Sequence, residues 1–462
     1  MNRRKEEGSF RDPHGFIFYH DDTLYRQVNE SYREEYDLLV DSGLYRKLVD
    51  GGLLIGHEET DLSLAAAEGA YRVIAPRRVS FISYPHEWSF SQLKDAALAT
   101  LDIQKKALGH GMSLKDCSAY NIQFDRGRPV FIDTLSFERY VEGEPWVAYR
   151  QFCQHFLAPL ALMSLKDVRL SQLFRIYIDG IPLDLASSLL PGRSKLSFGL
   201  MTHLHLHARY QHRYEGETDK PRAGKKVTLN GLRGIIDSLG SAVGKLRWTP
   251  GGTEWAEYYD DTNYTEAGLE EKDRLLSDFL SRVPKGTVWD LGANTGRFSR
   301  IAAGGGNNVI AFDIDPAAVE RNYLDVKREG REDLLPLLLD LTNPSAGMGW
   351  GERERMSLSS RGPADTVLAL ALIHHLAISN NLPFDRIARY MAELCDSLII
   401  EFVPKTDSQV RRLLVCREDI FDDYRQERFE AHFGRYFEIQ RAERILDSQR
   451  TLYLMKKREM TA

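Results

Sequence analysis

VWDLGANTGRFSRIAAGGGNNVIAFDID, residues 288–315, alternates apolar runs with glycine-rich turns. An apolar strand, Thr287 to Trp289, runs into Asp290-Leu-Gly292-Ala-Asn294-Thr-Gly296. A helix follows, and a second strand from Asn308 to Phe312 ends on Asp313. Strand, glycine turn, helix, strand, acid is the nucleotide-binding half of a doubly wound sheet. The glycines let backbone pass close to a ligand where a Cβ would collide. The acid at the strand end suits the two hydroxyls of a ribose.

The spacing narrows the ligand. Gly292 and Gly296 flank three non-glycine residues, which is not the dinucleotide fingerprint G-x-G-x-x-G. No G-x-x-x-x-G-K-[ST] is present to cradle a triphosphate. D-x-G-x-x-x-G followed by an acid resembles the first two motifs of class I S-adenosylmethionine (SAM) dependent methyltransferases. That resemblance implies a glycine loop beside the methionine part of SAM and Asp313 on its ribose.

The downstream order agrees with it. Residues 335–344, LPLLLDLTNP, read as a strand ending on Asp340, which the resemblance places at the adenine amino group. PADTVLALALIHHL (363–376) is a fourth apolar strand opening into His374-His375, and DSLIIEFVP (396–404) a fifth ending near Glu401. Helical spacing separates them over Pro316–Arg328 and Phe384–Leu394. YFEIQRAERILDSQRTLYLMKK (436–457) reads as two strands joined at Asp447-Ser448, fitting the antiparallel hairpin that closes this family's sheet. The expected fold is therefore α/β, a doubly wound seven-stranded Rossmann-like methyltransferase sheet over 251–462. Two segments here also resemble bacterial methyltransferase-like proteins, including host-specific nodulation proteins: LALIHHLAISNNLPF and IIEFVPKTDSQVRRLL. That similarity points to a small-molecule or saccharide acceptor.

Composition bounds the rest. A chain of 462 residues, 43% hydrophobic and 28% charged, is that of a globular protein of two or three domains. A formal net charge of −6 leaves no footprint for nonspecific nucleic-acid binding. MNRRKEEGSF lacks the apolar core of a secretory signal, and no apolar run spans a bilayer. A cytoplasmic enzyme without membrane or nucleic-acid partners is expected. Cys117, Cys153, Cys395 and Cys416 show no metal-ligand spacing and read as reduced thiols.

The boundary between halves falls in 216–250, where EGETDKPRAGKK (215–226) reads as a linker or exposed loop. The aromatics Trp255, Tyr258, Tyr259 and Tyr264 precede the first strand, and either fold over SAM or pack on the sheet edge. Residues 1–215 form an α+β domain. In it Asp116 and Asn121 stand as D-x-x-x-x-N, and Asp133 ends a strand. This resembles the catalytic loop and metal-binding acid of protein-kinase-like and aminoglycoside-kinase-like folds. The resemblance implies that Asp116 orients an acceptor hydroxyl while Asn121 and Asp133 hold magnesium. The glycine-rich phosphate loop is missing, Arg26 stands where the ATP lysine is expected, and Thr-Leu follows Asp133. A degenerate kinase-like fold that binds or presents a substrate is the expectation, with a working phosphotransferase as the alternative. Turn capping explains the same residues. His203, His205 and His207 read as a histidine-rich helix rather than a metal site.

For the chemistry, methyl transfer needs a base where the acceptor is a hydroxyl or a protonated amine. His374, His375 and Glu401 are the candidates. The cofactor residues are Asp290, Gly292, Asn294, Gly296, Asp313 and Asp340. Asn/Asp-Pro-Pro-Tyr does not follow the fourth strand, which argues against exocyclic-amine DNA methylation, and the absence of a Pro-Cys pair argues against cytosine C5 chemistry. A noncatalytic SAM-binding scaffold is the remaining alternative.

Overall fold

The computed structural model describes residues 3–209, 226–251, 264–415 and 418–459. They form two compact units. Unit 1 runs to Thr249 and also takes in Gly347–Arg355; unit 2 holds the rest.

Unit 1 is α+β. Its sheet has the order β1-β2-β3-β5-β4 and is antiparallel throughout: β1 Arg3–Lys5, β2 Gly15–His20, β3 Thr23–Asn29, β4 His57–Thr60 and β5 Ala70–Pro76. FIFYHDDTLYRQV (16–28) has the pattern of a hairpin and forms it as β2–β3, turning on Asp21 and Asp22 with positive φ. SYREEYDLLVDSGLYRKLVD (31–50) has the spacing of one helix but forms two, Arg33–Asp41 and Leu44–Asp50, because Gly43 between them takes φ +78. VIAPRRVSFISYP (73–85) reads as two strands, but among the described residues only β5 forms there. Residues 79–88 instead lead to a Ser89/Gln92 capping box opening the helix Phe90–Gly109. Two small antiparallel pairs follow, β6 (Met112–Leu114) with β9 (Phe137–Arg139), and β7 (Ile122–Asp125) with β8 (Arg128–Phe131). The helix Leu229–Lys245 belongs to this unit, where Lys94 Nζ donates to the carbonyls of Gly244 and Leu246. Gly347–Arg355 is held within the unit by a two-point ion pair between Arg11 and Glu354, both bonds 2.7 Å.

Unit 2 is one seven-stranded sheet in the order β12-β11-β10-β13-β14-β16-β15. The strands are β10 Thr287–Leu291, β11 Asn308–Asp313, β12 Leu334–Leu338, β13 Ala364–Ala369, β14 Cys395–Phe402, β15 Phe437–Arg444 and β16 Thr451–Lys457. The first five are parallel, and β16 and β15 close the sheet antiparallel. The seven strands and the antiparallel closing hairpin are those the resemblance implied. The parallel strands read as near-continuous apolar runs because both sheet faces are buried. The helices Glu266–Ser281, Arg297–Gly304, Pro316–Glu329 and Phe384–Leu394 carry apolar faces. Strand order reverses between β10 and β13, so β10 and β13 open a crevice at their carboxyl ends. The side chains of Cys117, Cys153 and Cys395 are buried free thiols. Among the described residues no helix is long and apolar enough to cross a membrane.

Candidate functional site

The glycine turn after β10 is shaped by backbone conformation. Gly292 has φ +80 and Gly296 φ +83, a region where a Cβ meets the following carbonyl. At Gly296 a Cβ would also sit 2.6 Å from the Asn322 side-chain amide. Asn294 takes φ +49, tolerated because its short amide bonds locally: its Oδ1 accepts from the Thr295 N–H at 2.8 Å.

That conformation turns the Asn294 N–H onto Asp313, where it donates to Oδ2 at 2.7 Å. The Asp315 N–H donates to Oδ1 at 2.8 Å. Burial pushes the Asp313 carboxyl up to about 6, against the pull of these backbone bonds. Asp290 sits behind the turn. It accepts from Ser299 Oγ at 2.6 Å, and burial brings it to about 6 as well. The two acids repel each other, and that raises Asp290 further.

A cavity of about 350 Å³ opens here. Gly292, Asn294, Phe298, Asp313 and Ile314 line one side, and Leu339, Asp340 and Thr342 continue it. Leu370, Ala371, Leu372 and His375 form the wall after β13; Tyr264, Lys272, Ser379, Asn380 and Leu413 complete the rim. Asp340 accepts from the Thr342 N–H at 2.9 Å and from its hydroxyl at 2.6 Å. The volume is that of a small-molecule site, largely apolar with a few placed polar groups.

The three candidate bases are placed differently. His375 faces the cavity, and burial lowers its imidazole to about 4, helped by Arg450. His374 lies behind it, 2% exposed, its ring centroid 4.1 Å from that of His375. Its Nδ1 has no hydrogen-bond partner among the described residues, and burial pushes its pKa well down. Glu401 is fully buried behind the wall rather than on it. Burial alone would raise its carboxyl, but Lys272 and Arg450 outweigh burial and bring it down to about 2. Lys272 Nζ lies 2.6 Å from Glu401 Oε2, Arg450 Nη1 3.3 Å from Oε1, and the Tyr264 hydroxyl also donates to it.

Of the aromatics before β10, Tyr264 lines the cavity; Trp255, Tyr258 and Tyr259 lie outside the described residues. Several lining residues went unread in the sequence, Lys272 and Ile314 among them. Lys272 sits on the apolar face of the helix Glu266–Ser281, in register with Gly268, Leu275, Leu276 and Phe279. A lone lysine in that stripe was a readable signal. Ile314, 56% exposed, follows the acid directly and had no such mark.

In unit 1 the residues resembling a kinase site are bonded to neighbouring protein groups. Asp133 pairs with Arg26 at 2.5 Å and accepts from Ser136 Oγ at 2.6 Å and the Leu135 N–H at 3.0 Å. Burial would raise its carboxyl; Arg26 and Ser136 hold it below the usual value. Asp116 accepts from the Ser118 N–H and from Gln151 Nε2, and Asn121 Nδ2 donates to Ser136 Oγ. No group of three or more His, Cys, Asp or Glu among the described residues could hold a metal ion. His203 bridges Tyr149 and Ser238 at 2.7 and 2.8 Å, and His205 bridges Ser187 and Ser194 at the same distances.

No protein-family model matches the chain. It is 36% identical over 459 residues to nodulation protein NoeA of Rhizobium meliloti strain 1021, covering 98% of this chain and 96% of that protein. Among solved structures it is similar to PH0226 from Pyrococcus horikoshii OT3 at 16% identity and a TM-score of 0.33, over 45% of this chain and 100% of that one. It is also similar to magnesium protoporphyrin IX methyltransferase from Synechocystis PCC 6803 with bound S-adenosylhomocysteine, at 17% identity and a TM-score of 0.31. That match covers 44% of this chain and 93% of that one.

Proposed function

This chain belongs to the family of nodulation protein NoeA, and from that premise we propose that it is a SAM-dependent methyltransferase acting on an O or N atom of a small molecule or saccharide. The observation that carries the reading is the cavity at the switch point of unit 2, which brings the glycine turn, Asp313 and Asp340 to one space. The residues fit the cofactor. Each Asp313 oxygen accepts a backbone N–H, and a carboxylate has further lone pairs for two ribose hydroxyls. Ile314 and Leu339 offer apolar faces to an adenine, and Asp340 an acceptor for its amino group. Gly292 and Asn294 adjoin the methionine end, with Asp290 behind them.

SAM bound there supplies a methyl carbon already attached to a sulfonium leaving group. The protein's part is to hold the nucleophile in line, in a dry site. Of the three candidate bases, His375 alone lines the cavity. At pH 7 its imidazole is neutral but a weak base, suited to taking the proton only as methyl transfer makes the acceptor strongly acidic. Glu401, at about 2 and saturated with cations, is a poor proton acceptor. Thr342, Ser379 and Asn380 put hydroxyl and amide groups on the rim, which suits an acceptor bearing several hydroxyls.

For unit 1 we read a degenerate kinase-like module that holds or presents the acceptor without phosphotransfer. Supporting this, the guanidinium of Arg26 already satisfies the acid, Asp133, that a magnesium ion would need.

Calorimetric titration of S-adenosylhomocysteine into the full chain tests the cofactor site, with Asp313→Ala as control. Binding that weakens at least tenfold in the variant supports the reading. No binding to the wild-type protein, or equal binding to both, overturns it.

A further inference from the structure

We propose that Glu401 is a positioning residue that sets the reactive wall of the cavity from behind, by holding the backbone of Ala371 in a left-handed turn. This rests on the cofactor reading above for its functional meaning, though not for its geometry. Glu401 takes four donors from three stretches of chain: the Tyr264 hydroxyl, Lys272 Nζ at 2.6 Å, the Ala371 N–H at 3.0 Å and Arg450 Nη1 at 3.3 Å. Tyr264, Lys272 and Ala371 all line the cavity, whereas Glu401 does not. One carboxylate thus ties the helix Glu266–Ser281, the turn after β13 and the approach to β16 together.

Ala371 has φ +50, a conformation that alanine adopts only when its surroundings impose it. The turn there lets Leu370, Leu372 and His375 face the same space. The force imposing it is the charge-assisted bond to Glu401 Oε2. Lys272 fixes that oxygen in turn, and Arg450 is braced by Asp407 at 2.8 and 3.1 Å. Glu401 therefore acts on the wall through Ala371, without touching the reacting groups.

Glycine adopts the left-handed turn at no steric cost, so it frees the wall from dependence on Glu401. The test compares the full-length wild-type protein, Glu401→Gln, and Glu401→Gln with Ala371→Gly. Amide exchange over 370–376 should quicken about tenfold or more in Glu401→Gln, with exchange over 308–313 unchanged. S-adenosylhomocysteine should bind about tenfold more weakly to it, and the added Ala371→Gly should restore most of that affinity. Unchanged exchange over 370–376 overturns the inference. So does a loss of binding that glycine does not rescue, since a merely stabilising role for Glu401 would not respond to residue 371. If Glu401→Gln alone fails to fold, Glu401→Asp, which keeps the charge but draws the carboxylate back from the Ala371 N–H, carries the same comparison. If the wild-type protein does not bind S-adenosylhomocysteine, the cofactor reading fails, and exchange over 370–376 still decides the role of Glu401.

Discussion

The backbone N–H of Asn294 donates to Asp313 Oδ2 at 2.7 Å, joining the glycine turn after β10 to the acid that ends β11. The bond needs a charged acceptor for full strength, and so would a ribose hydroxyl. Burial has moved that acceptor to about 6, within reach of ordinary buffers.

Cofactor affinity should therefore depend on pH. Above 6 the Asp313 carboxylate is charged and accepts; below 6 it takes a proton. Binding of S-adenosylhomocysteine should weaken about tenfold between pH 7 and pH 5, following the fraction ionised. Asp313→Asn should bind more weakly and show a flatter profile. An equally steep profile in the variant would assign the dependence to Asp290, which titrates in the same range.

Gly296→Ala should destabilise the protein by roughly 1–2 kcal/mol from its left-handed backbone alone. The new Cβ also presses on the Asn322 amide. That amide holds Arg300 Nη1 at 3.0 Å, so it cannot yield freely. Chemical denaturation measures the loss. A stability equal to wild type would show that the turn has relaxed.

The ion pair of Arg26 and Asp133 separates stability from catalysis. Asp133→Ala should cost about 1.5–3 kcal/mol, the range for a hydrogen bond to a charged group, and should leave S-adenosylhomocysteine binding to unit 2 unchanged. Magnesium-ATP should not raise the melting temperature of the wild-type protein. A magnesium-dependent rise that Asp133→Ala abolishes would establish phosphotransfer machinery in unit 1.

His375 gives an acid-side signature. Its folded pKa, about 4, lies below the unfolded value near 6.5. The unfolded chain thus binds the extra proton between these values. The stability from a neutral His375 is complete above pH 6.5 and is lost as pH falls towards 4, about 3 kcal/mol in all. Asp290 and Asp313 act in the opposite sense: raised to about 6, they contribute most below their unfolded value and lose that contribution as pH rises through 6. The difference between wild type and His375→Gln isolates the histidine. A difference that does not change between pH 4 and 7 would contradict the assignment.

Much of unit 2 could be read from the chain because its signals are local. Positive φ at 292 and 296 demands glycine, buried parallel strands demand apolar runs, and the acid on the crevice must be the residue that ends β11. Phe384–Leu394 was readable to the residue from its spacing. Unit 1 was less legible. Gly43 splits the helical spacing of 31–50, and the strand-like residues of 77–84 pair with no strand among the described residues.

The chain order of residues was enough to give the sheet, the glycine turn and the ribose acid, since each depends on neighbours in sequence. It was not enough to assign Glu401. That residue reads as a strand-end acid like Asp313, yet one is held at about 2 and the other at about 6. The difference comes from Lys272, 129 positions away, and Arg450, 49 positions away. Arg26 and Asp133 meet in the same manner across unit 1. Burial sets how strongly such charges act on one another, and folding alone brings them within reach.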